Sequence, residues 1–255
     1  MLERMIFDFN GFIRKTVRHN FLPENRVNTV IEVAAVVVWM LSALLFYLGM
    51  FRLFPQIGPW NKGNMVLIIA SFFITDGLTY SLLERNLHHL AEQIEDRNLD
   101  TTLLRPGSFR KYVGFRRTQF SSMVQIPIAL LMLTFLYHDW SWQVLLWIVS
   151  LVFGFFIIYH LWYCFDLLTL WFKLGRQVYP VLNELTGMGQ FPYITFMSSK
   201  LVLLFFPFLA VAALPAHGMV TQNMILVLFY QSVLLALLYV ISVGLERRGL
   251  EWYRR

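Results

Sequence analysis

Charge is what this chain of 255 residues has least of: 14% of it is Asp, Glu, Lys or Arg, against 58% hydrophobic. An ordinary soluble domain carries roughly 25% charged residues, so an integral membrane protein is indicated. A single cysteine, Cys164, excludes an internal disulfide and any cysteine-rich metal site. No G-x-x-x-x-G-K-S/T phosphate loop occurs, nor H-E-x-x-H, nor G-x-S-x-G, so the chain has no such ATP site and neither of those hydrolytic centres. The first twenty residues carry six charges and no clean apolar core, unlike a signal peptide.

What is present is apolar, in long runs. Backbone polar groups inside a bilayer must be satisfied internally, which leaves helices or closed barrels. Runs of this length favour helices over the alternating ten-residue strands of a barrel. We place spans at Val27–Phe51, Met65–Leu83, Phe120–Tyr137 (kinked at Pro127), Trp142–Cys164, a fifth from near Lys200 and a sixth at Met224–Val243. The fifth has only 14 uncharged residues before Pro215, with Pro207 inside, so it is either short or part of a broken element.

The longest stretch unsuited to hydrocarbon is Glu84–Arg117, which holds 12 of the 36 charged residues. Leu83, Leu87, Leu90, Ala91 and Ile94 lie on one helical face and Glu92, Gln93, Glu95 and Asp96 on the other. Pro106-Gly107 stops the chain and Ser108 is placed to cap a new basic helix. Leu99, Leu103 and Leu104 are too apolar for a solvated loop, so they are predicted to pack on a partner or on the chain's own helices. Two further segments suit the membrane surface: residues 2–18, and a stripe of Asp166, Thr169, Lys173, Arg176 and Gln177.

Lys and Arg set the orientation. The N-terminal arm has five, the stretch after the second span seven, residues 164–200 three and the tail four, against two, Arg52 and Lys62, in the remaining connections. Both termini are therefore predicted to be cytoplasmic. The net charge of +6 is topological, and nucleic acid is not a partner. The fold class is an all-α integral membrane protein with six transmembrane helices, an N-terminal amphipathic interfacial helix and a cytoplasmic coupling helix between spans two and three. It divides as 1–26 (N-terminal helix), 27–83 (spans one and two), 84–117 (coupling segment), 118–164 (spans three and four), 165–199 (cytoplasmic or interfacial segment), 200–243 (spans five and six) and 244–255 (basic tail).

Candidate functional residues are few. Asp76 lies inside the second span, where a carboxylate costs roughly 2.5–3.5 kcal/mol and usually faces a partner or a wet cavity. It either makes a buried hydrogen bond to a neighbouring Ser, Thr or Lys, or lines a transport path and favours cationic substrates. Tyr80 is taken with it, as are Pro207 and Pro215, since prolines in membrane helices mark kinks beside cavities. His88 and His89 are adjacent, about 100° apart on a helix, and make a poor metal pair; no metal site is predicted. His160 reads as an interior hydrogen-bonding group.

Three stretches together carry a resemblance: LDTTLLRPGS (Leu99–Ser108), Val178–Met219 with its Tyr179-Pro180, Pro207-Phe208 and Pro215-Ala216 pairs, and the terminal GLERRGLEWYRR. In order and spacing the chain resembles the ABC-2 type permeases, in particular the six-span branch of ABC-2 family transporter proteins. The resemblance implies a permease subunit in the plasma (cytoplasmic or inner) membrane, paired with a second permease, identical or related, and with two cytoplasmic ABC ATPases. ATP and Mg would be bound by those partners and no cofactor by this chain. ATPase closure would push on the loop after span two, with Glu92, Glu95, Asp96, Arg97, Leu99, Leu103, Leu104, Arg105 and Pro106 as coupling residues, and move a hydrophobic or amphipathic substrate outward. The competing classes are an ion-coupled secondary transporter, which often shows internal repeats and several intramembrane charges, and a membrane-embedded lipid-modifying enzyme, which needs clustered polar residues at one depth.

Overall fold

The structure is a computed structural model that describes residues 23–104, 109–114, 118–137, 141–172, 175–191 and 207–253. The N-terminal interfacial helix predicted over residues 2–18, Arg105–Ser108 and the predicted start of the fifth span near Lys200 lie outside the described residues.

Helix α1 (Pro23–Leu53) leads through a small hairpin, β1 (Gln56–Ile57) paired antiparallel with β2 (Trp60–Asn61), into α2 (Lys62–Thr79). Gly58 takes φ 60° in the hairpin turn, the left-handed region that favours glycine. The Asn61 side chain then caps α2 by accepting from the Asn64 backbone N–H at 2.8 Å. A π-helical turn at Tyr80–Glu84 carries α2 directly into α3 (Arg85–Glu95). Short helices α4 (Asp100–Leu103), α5 (Phe109–Gly114) and α6 (Phe120–Met123) precede α7 (Gln125–Leu136). Helix α8 (Gln143–Phe172) is followed by α9 (Gly175–Gly187), 3-10 turns at Met188–Gln190 and Pro207–Ala210, α10 (Ala213–Val220) and α11 (Met224–Tyr253).

The expected six transmembrane helices are not found. Among the described residues four helices are long and apolar enough to cross a membrane: Arg26–Leu53, Lys62–Glu95, Gln143–Phe172 and Met224–Tyr253. The predicted third span is shorter and broken at Val124, between α6 and α7. Pro127 explains the break, because its ring clashes with the carbonyl of Met123 and it has no N–H to donate. The predicted fifth span is no continuous helix where it is described: Pro207 opens a 3-10 turn and Pro215 sits in the first turn of the eight-residue α10. The separate cytoplasmic coupling helix is also corrected. Arg85–Glu95 prolongs α2 in one helix of 34 residues, and its apolar face is buried against the chain's own α8 and α9.

Three of the four long helices, α2–α3, α8 and α11, share a direction. Ser150 meets Gln231, His160 meets Ser242, and Gly249 lies against Leu170, so α8 and α11 run parallel. Trp147 meets Ser71, and Tyr179 packs on both His88 and Trp162, which sets α2–α3 parallel to α8. The chain must return between them: α6–α7 runs back along α2, and the described residues between α9 and α11 form short elements, the two 3-10 turns and α10.

Helix α2–α3 is the centre of the bundle. Its most apolar window is 83% buried, whereas that of α1 is 11% buried. The interrupted return leaves backbone carbonyls that need donors away from water. The fully buried Gln231 supplies one amide hydrogen to the Ala210 carbonyl at 2.7 Å and another to the Ser150 carbonyl at 3.1 Å, while its own oxygen accepts from the Ser150 hydroxyl at 2.7 Å. Gln231→Leu should therefore lower stability by about 1–3 kcal/mol, read as a fall in the denaturation midpoint in mixed detergent micelles. A midpoint equal to wild type would remove Gln231 from this role.

Candidate functional site: a polar cavity inside the bundle

A cavity of about 600 Å³ opens between α1, α2 with its π turn, α6–α7, and α9 with the 3-10 turn that follows it. Asp76, Tyr80 and Glu84 recur at intervals of four along one helical face of α2 and the π turn, and all three line it. From Phe72 to Glu84 this wall is about 18 Å long, at 1.5 Å per residue. Ala35, Val36 and Trp39 form the apolar side on α1, Gln119, Ser122 and Gln125 come from α6–α7, and Asn183, Glu184, Gly187 and Gln190 from α9 and beyond.

Close approach of two backbones brings the key polar pair together. A Cβ on Gly77 would meet the Ser122 carbonyl oxygen at 3.0 Å and the Gln125 Cβ at 3.1 Å. Glycine thus lets α6–α7 press against α2 beside Asp76, where the Gln125 side chain hydrogen-bonds the Asp76 carboxylate. The partner is Gln125, on a neighbouring element, and not the Ser, Thr or Lys expected for a simple buried hydrogen bond. Thr75 and Thr79 instead turn their hydroxyls back on their own helix, donating to the Ser71 and Thr75 carbonyls respectively, each at 2.8 Å.

The π turn that presents Tyr80 and Glu84 is held by donors from outside the helical ladder. The Gln119 backbone N–H donates to the Ser81 carbonyl at 2.9 Å, and the Asn86 side chain donates to the Leu82 carbonyl at 2.7 Å. Such turns are rare and occur frequently at functional sites. Two acceptors in the cavity wall remain without a hydrogen-bond partner, Gln125 Oε1 and Asn183 Oδ1.

The stretch beyond Glu84 is tied down in two places. Leu99 is fully buried; its N–H donates to the Tyr253 hydroxyl at 3.2 Å, and that hydroxyl donates to the Arg97 carbonyl at 3.2 Å. On α5, Arg110 pairs with Glu246, donates to the Ser242 hydroxyl at 3.3 Å, and lies over the rings of Tyr163 and Tyr239. Burial opposes the Arg110 charge, but the Glu246 carboxylate outweighs it and holds the guanidinium above its usual pKa. Nearby, Tyr179 donates to Asp166 at 3.0 Å; burial first, and then that carboxylate, push the phenol well above its usual range.

Of the residues singled out from sequence, Asp76 and Tyr80 line the cavity, whereas Pro207 and Pro215 are not among its lining residues. Glu92 lies 3.5 Å from His88 and 3.6 Å from His89. Asp96 follows the last turn of α3 and Arg97 takes φ 51°, with the Asn98 N–H returning to the Gln93 carbonyl at 2.9 Å, a helix-ending motif in which glycine is the usual residue. Glu95 lies in the last turn of α3. Leu103 packs against the core, while Leu104 is 85% exposed. Arg105 and Pro106 lie outside the described residues. His160 bonds the Ser242 hydroxyl at 3.1 Å, an interior contact. Sequence reasoning missed Glu84, Gln125, Asn183 and Glu184. The spacing of Asp76, Tyr80 and Glu84 could have revealed the first; the others become visible only through packing.

Four long apolar helices, two of which, α1 and α2, border a polar cavity, define a multi-pass integral membrane protein. The sequence model of the ABC-2 family transporter proteins matches residues 37–255, and the chain belongs to that family. Members are non-catalytic transport subunits, and no group of three or more His, Cys, Asp or Glu among the described residues could hold a metal ion. No curated protein and no solved structure matches the chain.

The Gly77 contact generates a test. Gly77→Ala should force α6–α7 away from α2 at a cost of about 1–3 kcal/mol, whereas Gly49→Ala in α1, with nothing within 4 Å of its added Cβ, should be neutral or slightly stabilising. Melting temperatures of the two variants check this; equal values would mean that the α2–α7 approach is not tight.

Proposed function

We propose that this chain is the permease subunit of an ATP-driven ABC exporter in the plasma (cytoplasmic or inner) membrane. It forms half of the path for a hydrophobic or amphipathic substrate, next to a second permease, identical or related. A cytoplasmic ABC ATPase dimer holds the ATP and Mg. The observation that supports this reading is the polar cavity that α2 borders with Asp76, Tyr80 and Glu84, in a family member without a phosphate loop of its own. The whole chain acts as one permease domain, and the 19-to-2 distribution of Lys and Arg puts the end of α3 on the cytoplasmic side.

Force from the ATPase enters at the surface made by the end of α3 and by α4, through Glu92, Glu95, Asp96, Arg97, Leu103 and Leu104, with Arg105 and Pro106 following. Leu99 serves a different purpose from the others: buried against the chain itself, it passes displacement inward. The link from Leu99 and Arg97 to Tyr253, and that from Arg110 to Glu246, join the stretch to the end of α11. Since α3 continues α2 without a break, the same push reaches the π turn and the cavity wall that includes Asp76 and Tyr80.

Leu104 is the apolar side chain left outside. An interface anchor often costs about 2 kcal/mol when truncated, roughly thirtyfold in affinity. Leu104→Asp should therefore leave membrane insertion unchanged, weaken retention of the ATPase on gentle solubilisation, and reduce transport. Wild-type retention and transport in this variant would count against Leu104 as an anchor. Purification of the native chain without any stoichiometric ATPase would favour an ion-coupled transporter instead.

A further inference from the structure

We propose that the cavity binds a protonated primary amine carried on an apolar, aromatic-sized body, with the ammonium between Asp76, Gln125 Oε1 and Asn183 Oδ1. The proposal rests on the reading of the chain as a transport subunit and names the substrate class of its cavity. Three independent features of the wall point to this ligand. The first is the sign of the charge. Asp76, Glu84 and Glu184 line the cavity, and none of its described lining residues is Lys or Arg.

The second is an imbalance of hydrogen-bonding groups. Gln125 is 3% exposed and turns its amide hydrogens to the Asp76 carboxylate, so its oxygen is left as an acceptor without a donor. On half-buried Asn183, Oδ1 likewise has no hydrogen-bond partner. Amide oxygens and carboxylates can only accept. A ligand that completes the site must therefore bring N–H or O–H donors together with positive charge. A primary ammonium has three donors and one charge; a quaternary ammonium has the charge alone.

The third feature is shape. A volume of about 600 Å³ falls within the range of small-molecule pockets, roughly 300–1,000 Å³, and far exceeds a bare ion. Trp39, Phe72 and Tyr80 give aromatic surface for the body of the ligand, and their rings favour a cation nearby. The carboxylates are strung along the wall without converging, and no described cluster suits a metal ion. A divalent cation is the poorer fit.

The test uses the full chain in lipid nanodiscs and four probes at pH 7: 4-phenylbutylamine, its trimethylammonium analogue, 4-phenylbutanol and sodium ion. Binding is measured by calorimetry and by the shift in melting temperature. The primary amine should bind and stabilise, the quaternary analogue should bind at least tenfold more weakly, and the alcohol should not bind. Asp76→Asn should weaken amine binding about ten- to a hundredfold, Glu184→Gln at the exposed rim by a few-fold, and Glu251→Gln, outside the cavity, not at all. Gln125→Met provides a second interior variant, also expected to weaken the amine, should Asp76→Asn fail to fold. Equal binding of amine and alcohol, unchanged affinity in the folded interior variants, or a response to sodium alone would each overturn the proposal. Equal binding of the primary and quaternary amines would overturn the donor-specific site. Amine binding without ATP-driven transport by the ATPase complex would refute the exporter reading alone, and ATP-driven export of another substrate without amine binding would refute this inference alone.

Discussion

A carboxylate at the depth of Asp76 cannot be left to hydrocarbon, and the bundle is arranged around that requirement. The cost of such a group is met by a polar partner or by water, and here Gln125 supplies the partner from a neighbouring element. For Gln125 to reach, α6–α7 must press on α2, and the missing Cβ at position 77 leaves room for that approach. Enclosing this contact makes α2 the central helix, whose Thr75 and Thr79 hydroxyls are turned back onto its own carbonyls. The cavity is the space left where the polar wall meets α1 and α9.

A second constraint follows from direction. With α2–α3, α8 and α11 parallel, the chain has to return between them, and where the returns are described they consist of short or interrupted elements. Interruptions expose backbone polar groups, which inside a membrane are tolerated only where protein or a cavity satisfies them. Gln231 does this at Ala210, and Gln119 and Asn86 do it at the π turn. The same irregular backbone that needs these donors also aims Tyr80, Glu84, Asn183 and Gln190 into the cavity. Breaks in the helices and polarity of the site thus have a common origin.

Much of this was legible in the residues, and the rest was lost for identifiable reasons. Apolar runs revealed the four long helices, and a lone carboxylate within one of them revealed Asp76. Counting apolar residues could not distinguish a continuous helix from an interrupted one, so the short α6–α7 pair and the stretch around Pro207 and Pro215 were read as two further spans. The apolar face of Leu87, Leu90, Ala91 and Ile94 was correctly seen as helical, but its partner is the chain's own α8 and α9 rather than solvent or another protein. Glu84 was read as the first charge of a separate coupling helix outside the membrane because the sequence does not show that α2 and α3 are one helix. Gln125, Asn183 and Glu184 come from elements distant in sequence, and nothing local marks them as neighbours of Asp76.

The central claim is that the Asp76–Tyr80–Glu84 face borders a polar space reachable by water while the rest of α2 is packed dry. Cysteines placed singly at Tyr80, Glu84, Ile69 and Val38 in a Cys164→Ala background, treated with a charged methanethiosulfonate reagent, test it directly. Positions 80 and 84 should react readily, whereas position 69, buried in the core, and position 38, exposed on the apolar face of α1, should react slowly or not at all. Reaction at 80 and 84 no faster than at 69 and 38 would contradict the account.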